Sequence, residues 1–479
     1  MDKTIATLIR YEWKVFVRNR FQLLILAVTF VLGLYAIYNG KVVINTQRDT
    51  IEAVTALEKE EFQKYKASFQ EALNTVEQEQ IHDIASRPAF AWYRHGYHAI
   101  LPPHDYAALA LGQRDLFRFY YRLTGMSLHY QLFENELANP VHLLFGNIDL
   151  SFLLIYLFPL LIIAFCYGLY ANEKESGTLS LLLIQPVSLR KILLLRLFFY
   201  GAIITGLALL ISLIGLWIAG SPWKVENRLP ALAWLAGVVV YCAFWFGLIF
   251  LIISFRRSSS FSAITAAGCW LLLLIIIPAV LNVLVNVKYP ISSTKLAGLT
   301  RRTSLENEND EAEARAVILE FLTHKPELAG ADSLLNNNLL PKAYAAFTAL
   351  KDINSQQIVD EYNAQVQRRN RWTSRFSWLS PAVTMQEVQV HIAETELGEF
   401  LRFQDALAKF HGQITDFYFS RLFRDRPILL EDYSHLPAFR MLPDQGRWAT
   451  VSWGIGKISL VALLAFFIGY RNFQKNTRS

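Results

Sequence analysis

Sulfur is scarce in this chain: 479 residues include three cysteines and four methionines. Cys166, Cys242 and Cys269 all fall inside apolar runs, so neither long polar segment can carry a disulfide. Those segments must stand on their own cores or on each other, and the cysteines read as small apolar residues. The residues for catalysis are also missing. There is no Gly-x-x-x-x-Gly-Lys-Ser/Thr phosphate loop, no His-Glu-x-x-His, no cysteine pair at metal spacing and no Gly-x-Ser-x-Gly elbow. If nucleotide energy is used, another subunit hydrolyses it. The apolar runs contain no paired carboxylates or charged relay, which argues against a proton-coupled transporter. Basic residues are split among short segments rather than gathered on one face, so the net charge of +6 does not indicate nucleic acid.

What the chain does have is long apolar runs. About 20 residues at 1.5 Å rise cross a bilayer core, and six stretches qualify: 21–38, 150–170, 192–218, 231–255, 261–287 and 451–470. Arg196 and Lys457 lie near enough to span ends to be expected to snorkel. Pro159 and Pro278 are expected to bend their helices. The few mid-span polar groups suit helix contacts, or a path for apolar or amphipathic cargo, better than an ion path. The expectation is an all-α membrane protein with six transmembrane helices and two large, mainly helical extracytoplasmic domains, at residues 39–148 and 288–450. Residues 149–287 hold spans two to five with a loop at 171–191, and 471–479 form a tail.

Charge placement orients the chain. Lys3, Arg10, Lys14, Arg18, Arg20, Lys174, Arg190, Lys191, Arg256, Arg257, Arg471, Lys475 and Arg478 fall on one side, against only Asp2, Glu12, Glu173 and Glu175. The positive-inside rule makes that side cytoplasmic, with both termini there, as in a bacterial inner membrane. The first run is too long for a signal peptide and is followed by bulky residues at 35–38, so it is expected to remain as an anchor. Before it, Ile5, Leu8, Ile9, Trp13 and Phe16 recur at helical spacing opposite Arg10, Lys14 and Arg18. This predicts an amphipathic elbow over residues 1–20 in the membrane interface, or a straight extension of the first span.

Helical spacing also runs through Ile51, Val54, Leu57, Phe62, Tyr65, Phe69, Leu73 and Val76, through residues 106–123, and through 385–422 entered at Pro381. Residues 305–314 read as a solvated loop or helix start. His95, His98 and His104, with Asp105, read first as ordinary surface or hydrogen-bonded histidines, though their spacing could hold a copper or zinc ion. The neighbouring Phe90, Trp92, Tyr93 and Tyr97 read as core, or as a surface for membrane or cargo.

The most distinctive stretch is residues 172–191, NEKESGTLSLLLIQPVSLRK, between the second and third runs. It reads as a short helix lying flat on the membrane. Ser176 is placed to cap its start, with Glu173 and Glu175 near the positive helix end. Pro186 stops it and Ser188 caps the next helix. A stiff element joined rigidly to two spans suits the reception of a push from a partner.

The order elbow, span, large polar segment, Asn139-Pro140, Leu144-Phe145-Gly146, Asp149-Leu150, span and Glu175-Ser176-Gly177-Thr178-Leu179 resembles the type-2 ABC exporter permeases. More narrowly, it is similar to the bacterial branch related to nitrous oxide reductase maturation permeases, with enlarged outer domains. Leu379-Ser380-Pro381-Ala382, Phe403-Gln404, Asp432-Tyr433, Leu436-Pro437 and Phe439 add to that likeness. The resemblance implies a transport subunit with no nucleotide site or cofactor of its own. ATP and Mg would be bound by a dimer of ABC ATPase subunits. A second permease, identical or a paralogue, would complete the assembly in the lipid bilayer. The 171–191 loop would be the coupling helix, with Glu173 and Glu175 pairing to basic groups of the ATPase. Thr178 and Leu179 would belong to the same contact, Arg190 and Lys191 would hold lipid phosphates, and Arg256–Ser260 would be a lesser contact. Two alternatives stay open. One is a mechanotransmitter that drives an extracytoplasmic partner without moving cargo. The other is a membrane-bound metal-handling protein built on the three histidines.

Overall fold

A computed structural model of the chain describes residues 3–133, 148–184, 188–291, 311–329, 338–441, 444 and 446–475. All six apolar runs lie in helices long and apolar enough to cross a membrane: Arg20–Ala67, Leu150–Glu175, Leu189–Gly220, Val225–Ile253, Ser259–Lys288 and Arg447–Gln474. The chain is an all-α, multi-pass membrane protein. Among the described residues, strand is confined to Tyr97–Ile100 and Tyr120–Leu123, paired antiparallel with Tyr97 opposite Leu123.

The spans pack around the second and fourth. Leu154, Phe158 and Ile162 of the second are buried, as are Trp234, Tyr241, Trp245 and Phe250 of the fourth. The sixth lies along the fourth, with Phe466 stacked on Phe250 at 4.7 Å. The fifth leaves Ile264, Leu272, Val280 and Val283 exposed, as a lipid-facing helix should.

Both span prolines sit just after a π-turn, at Leu153–Leu157 and Leu272–Ile276. In the fifth span the Ile277 N–H reaches back to Leu272, and Pro278 has no N–H. Neither residue that would normally serve the Leu273 carbonyl does so, and Ser380 Oγ donates to it instead at 2.6 Å. In the second span Pro159 has no N–H to give Ile155, whose carbonyl accepts from Tyr241 OH of the fourth span at 2.9 Å. Trp270 Nε1 of the fifth span donates to the adjacent Tyr156 carbonyl at 3.2 Å. Each interrupted helix is therefore completed by a side chain from a neighbour, as unpaired carbonyls in hydrocarbon require.

The first span does not end at the membrane. Its helix runs unbroken for 48 residues from Arg20 to Ala67, about 70 Å at 1.5 Å per residue. Asn19 separates it from the elbow helix Lys3–Arg18 and accepts from Gln22 N–H as its cap. The helical pattern read through Val76 stops at Ala67, and a second helix starts at Val76.

The two large polar segments form one lobe with one core. Trp92, Tyr97 and Leu123 from the first pack with Ile318, Phe321, Phe403, Leu407, Ile414 and Tyr418 from the second. Phe117 stacks on Phe400 at 4.0 Å, Ile428 N–H donates to the Ser86 carbonyl, and Asp352 accepts from Ser127 Oγ and Leu128 N–H. With no disulfide available, the halves bury each other. The helix expected over 106–123 is instead a 3-10 turn, Asp105–Ala108, and a strand, Tyr120–Leu123. Tyr106 to Leu111 are uniformly buried, so they pack on all sides and show no amphipathic stripe.

The 385–422 stretch is two helices, Pro381–Ala393 and Leu397–Leu422, broken where Glu394 adopts φ +55°. The second belongs to the lobe. The first is a wedge driven among the spans: Ala382, Met385, Val388, Ile392 and Ala393 join the span core. Its Gln389 accepts from Ser151 at the start of the second span, at 2.6 Å. A methyl at Gly454 of the sixth span would collide with Val388, so glycine there permits the close approach. Ala314 lies in the helix Glu311–His324, while 305–310 are outside the described residues.

Candidate functional site

The 171–184 loop lies at the end of the spans opposite the lobe, beside the elbow helix and the last turns of the sixth span. It is not one helix. Ala171–Glu175 and Leu179–Leu183 are single turns separated by Gly177 at φ +76°, a conformation that favours glycine. Ser176 is therefore not the cap of a helix start. It sits at the C-terminal end of the first turn, where its hydroxyl donates back to the Asn172 carbonyl at 2.7 Å. Ser188 does cap the third span, accepting from Lys191 N–H at 3.4 Å. Pro186 lies outside the described residues, as do Asn139, Pro140, Leu144, Phe145 and Gly146.

Glu173 and Glu175 both make hydrogen bonds within the chain. Glu173 accepts from Arg196 Nη1 at 2.8 Å and from the Thr178 hydroxyl. Arg196 does not snorkel, because its Nε also meets Glu12 of the elbow helix at 2.6 Å. Glu12 is 4% exposed, and Arg196 joins it to Glu173 in a partly buried carboxylate–guanidinium–carboxylate chain linking elbow, loop and third span. Glu175 accepts from Ser259 N–H at 2.8 Å and Ser259 Oγ at 2.6 Å, tying the loop to the start of the fifth span. Arg190 lies over the Tyr470 ring at 4.5 Å, and Arg256, at φ +54°, over Phe473 at 5.5 Å.

Leu179 packs inward on the span core. Leu181, Leu183 and Ile184 are 65%, 61% and 81% exposed at the tip. An exposed apolar tip on an electrostatically clamped base is suited to dock a partner and pass on its motion.

Sequence reading missed Glu12 and Arg196 as parts of this site, and placed Ser259 only within the lesser contact 256–260 rather than against Glu175. A signal existed for the first pair: Glu12 stands among the elbow's apolar positions, and Arg196 is the charge in the third run.

The three histidines do not converge. His95 is fully buried, with Nδ1 2.6 Å from Tyr418 OH, and stacks on Tyr65 at 4.5 Å. His98 Nδ1 meets Glu58 at 3.0 Å, while His104 Nδ1 accepts from Tyr106 N–H. Burial lowers the pKa of His95 to about 3 and that of His104 to about 4. Among the described residues no group of three His, Cys, Asp or Glu fits a metal ion. The spacing alone could hold one, but the strand starting at Tyr97 separates the side chains, and each makes an ordinary hydrogen bond. Trp92 and Tyr97 beside them are core.

Residues 295–441, which include the wedge and most of the lobe's second half, match a domain of unknown function, DUF3526. No curated protein and no solved structure matches the chain. Residues 125–268, from before the second span into the fifth and including the whole loop, match the ABC-2 family transporter protein, which supports a permease subunit of an ABC transporter, partnered by an ABC ATPase and without an ATPase site of its own.

Proposed function

We propose that this chain is one of two permease subunits, identical or paralogous, that work with two ATPase subunits in a bacterial inner membrane. ATP and Mg are held by the ATPase, and the loop face is cytoplasmic. The ATPase seats the Leu181–Leu183–Ile184 tip. Its closure displaces Ala171–Leu183, and the Glu12–Arg196–Glu173 and Glu175–Ser259 links carry the displacement into the elbow and the third and fifth spans. The output is export, or extracytoplasmic handling, of an apolar or amphipathic substrate. The observation that carries this reading is the exposed apolar tip on a base fixed to three other elements, inside the segment that matches the transporter family.

The variant Leu181→Asp/Leu183→Asp tests it, because it places charge on the tip without touching the clamps. Removing a central apolar anchor typically costs at least 2 kcal/mol of binding, about thirtyfold. The ATPase is expected to be lost from the purified complex while the spans still insert. Retained ATPase would refute the docking assignment. One observation favours the mechanotransmitter variant of this function: an unbroken helix and a wedge both join spans to lobe. Its mark is ATP-dependent binding of an extracytoplasmic partner with no transport in vesicles.

A further inference from the structure

Between the lobe and the sixth span lies a cleft of about 840 Å³, remote from the loop and floored by Val388 at the edge of the span core. Its lining includes Arg375 and Trp378 from the lobe, Glu387 from the wedge, and Trp453, Lys457 and Leu460 from the sixth span. Among the described residues neither Arg375 nor Lys457 has an ion-pair partner. Lys457 lies about 9 Å along its apolar run at 1.5 Å per residue. An ammonium at that depth is costly unless it reaches headgroup level or meets an anion. It lies 5.9 Å from the Trp453 ring centroid. Trp378 and Trp453 are 55% and 69% exposed, as tryptophans at a membrane–water boundary are.

Below this, Leu460 and Leu464 continue the stripe of Trp453 and Lys457 at helical spacing, and both are exposed to lipid. Glu387 is held by the Ser374 hydroxyl. Two cations and one carboxylate leave the cleft one positive charge, which a single phosphodiester balances.

We propose that this cleft binds an anionic glycerophospholipid drawn from the lobe-side leaflet. Its phosphate sits between Arg375 and Lys457, its glycerol region between the two indoles, and one acyl chain along Leu460 and Leu464. The site is independent of the ATPase reading. It would make the seating of wedge and lobe on the sixth span sensitive to the composition of that leaflet.

The test uses the full chain in nanodiscs, comparing tryptophan quenching by brominated phosphatidylglycerol and brominated phosphatidylcholine at equal mole fraction. Stronger quenching by the anionic lipid is expected, with the excess lost in Trp378→Phe/Trp453→Phe. A basic residue near the surface contributes about fivefold to anionic-lipid affinity. The single variants Arg375→Gln and Lys457→Gln should each lower the preference about fivefold, and the double variant about thirtyfold. Equal quenching by both lipids, or a preference that survives both single substitutions, would overturn the proposal. Relief of the excess by millimolar inorganic phosphate would overturn it too, by marking a small-anion site.

Discussion

Ser380 shows how much one hydroxyl can carry. It is fully buried, it caps the wedge helix by accepting from Val383 N–H, and it donates to the carbonyl that the Pro278 π-turn leaves open. Replacing it with alanine strands that carbonyl in an apolar setting, at about 1–3 kcal/mol, and removes a cap worth about 1 kcal/mol. Ser380→Ala should therefore unfold at clearly lower denaturant in detergent. Pro278→Ala returns an N–H to the fifth span, so in that background Ser380→Ala should cost at least 1 kcal/mol less. Additive effects in the double-mutant cycle would show that Leu273 finds its partner elsewhere. Sequence reading marked Pro278 as a bend. It could not show which side chain completes the bend, because that residue lies 107 positions from the carbonyl it serves.

At the scale of elements, the loop works through its anchors. Arg196 balances two carboxylates from different helices, and breaking a buried pair by removing one partner costs about 3–5 kcal/mol. Arg196→Met should destabilise the protein by that order, and adding Glu12→Gln should recover part of it, read by thermal unfolding in detergent. Glu173→Gln should leave the ATPase bound through the apolar tip, yet lower substrate-stimulated ATP hydrolysis. A fall in ATPase binding equal to that of Leu181→Asp/Leu183→Asp would place Glu173 in the docking surface instead. The existence of this loop was plain in the sequence, since Glu, Gly, Thr and a leucine cluster between two spans are local signals. The roles of Glu173 and Glu175 were not, because an acid near a positive helix end looks the same whether it faces a partner or a neighbouring helix.

For the whole molecule, the single lobe core predicts an acid sensitivity. His95 and His104 are held neutral by burial, with pKa values of about 3 and about 4, and burial also lowers those of His129 and His411. Below pH 6.5 the unfolded chain takes up protons that the folded lobe refuses. Stability is then fully present above pH 6.5 and falls as pH drops toward 4, by at most about 1.4 kcal/mol per pH unit for each histidine. Asp149, pushed up to about 6 by burial, works in the opposite sense and offsets part of the loss between pH 6 and 4. Melting of the purified protein should decline from pH 7.5 to 4.5, and His95→Gln should flatten the decline. An unchanged slope in that variant would show that His95 can take up a proton in the folded state.

The six apolar spans and the Ser188 cap were determined by the sequence alone, since each depends on residues within a turn or two of one another and on the bilayer as solvent. Other features were decided only when distant segments met. The two polar segments became one lobe because apolar residues from both share a single core. Residues 381–393 entered the span core although they are too short to read as a span. The histidines were separated by a strand that their spacing could not reveal. Local hydropathy fixes what must leave water, whereas the choice of partner depends on shape and on which donors and acceptors remain unpaired once the chain has closed.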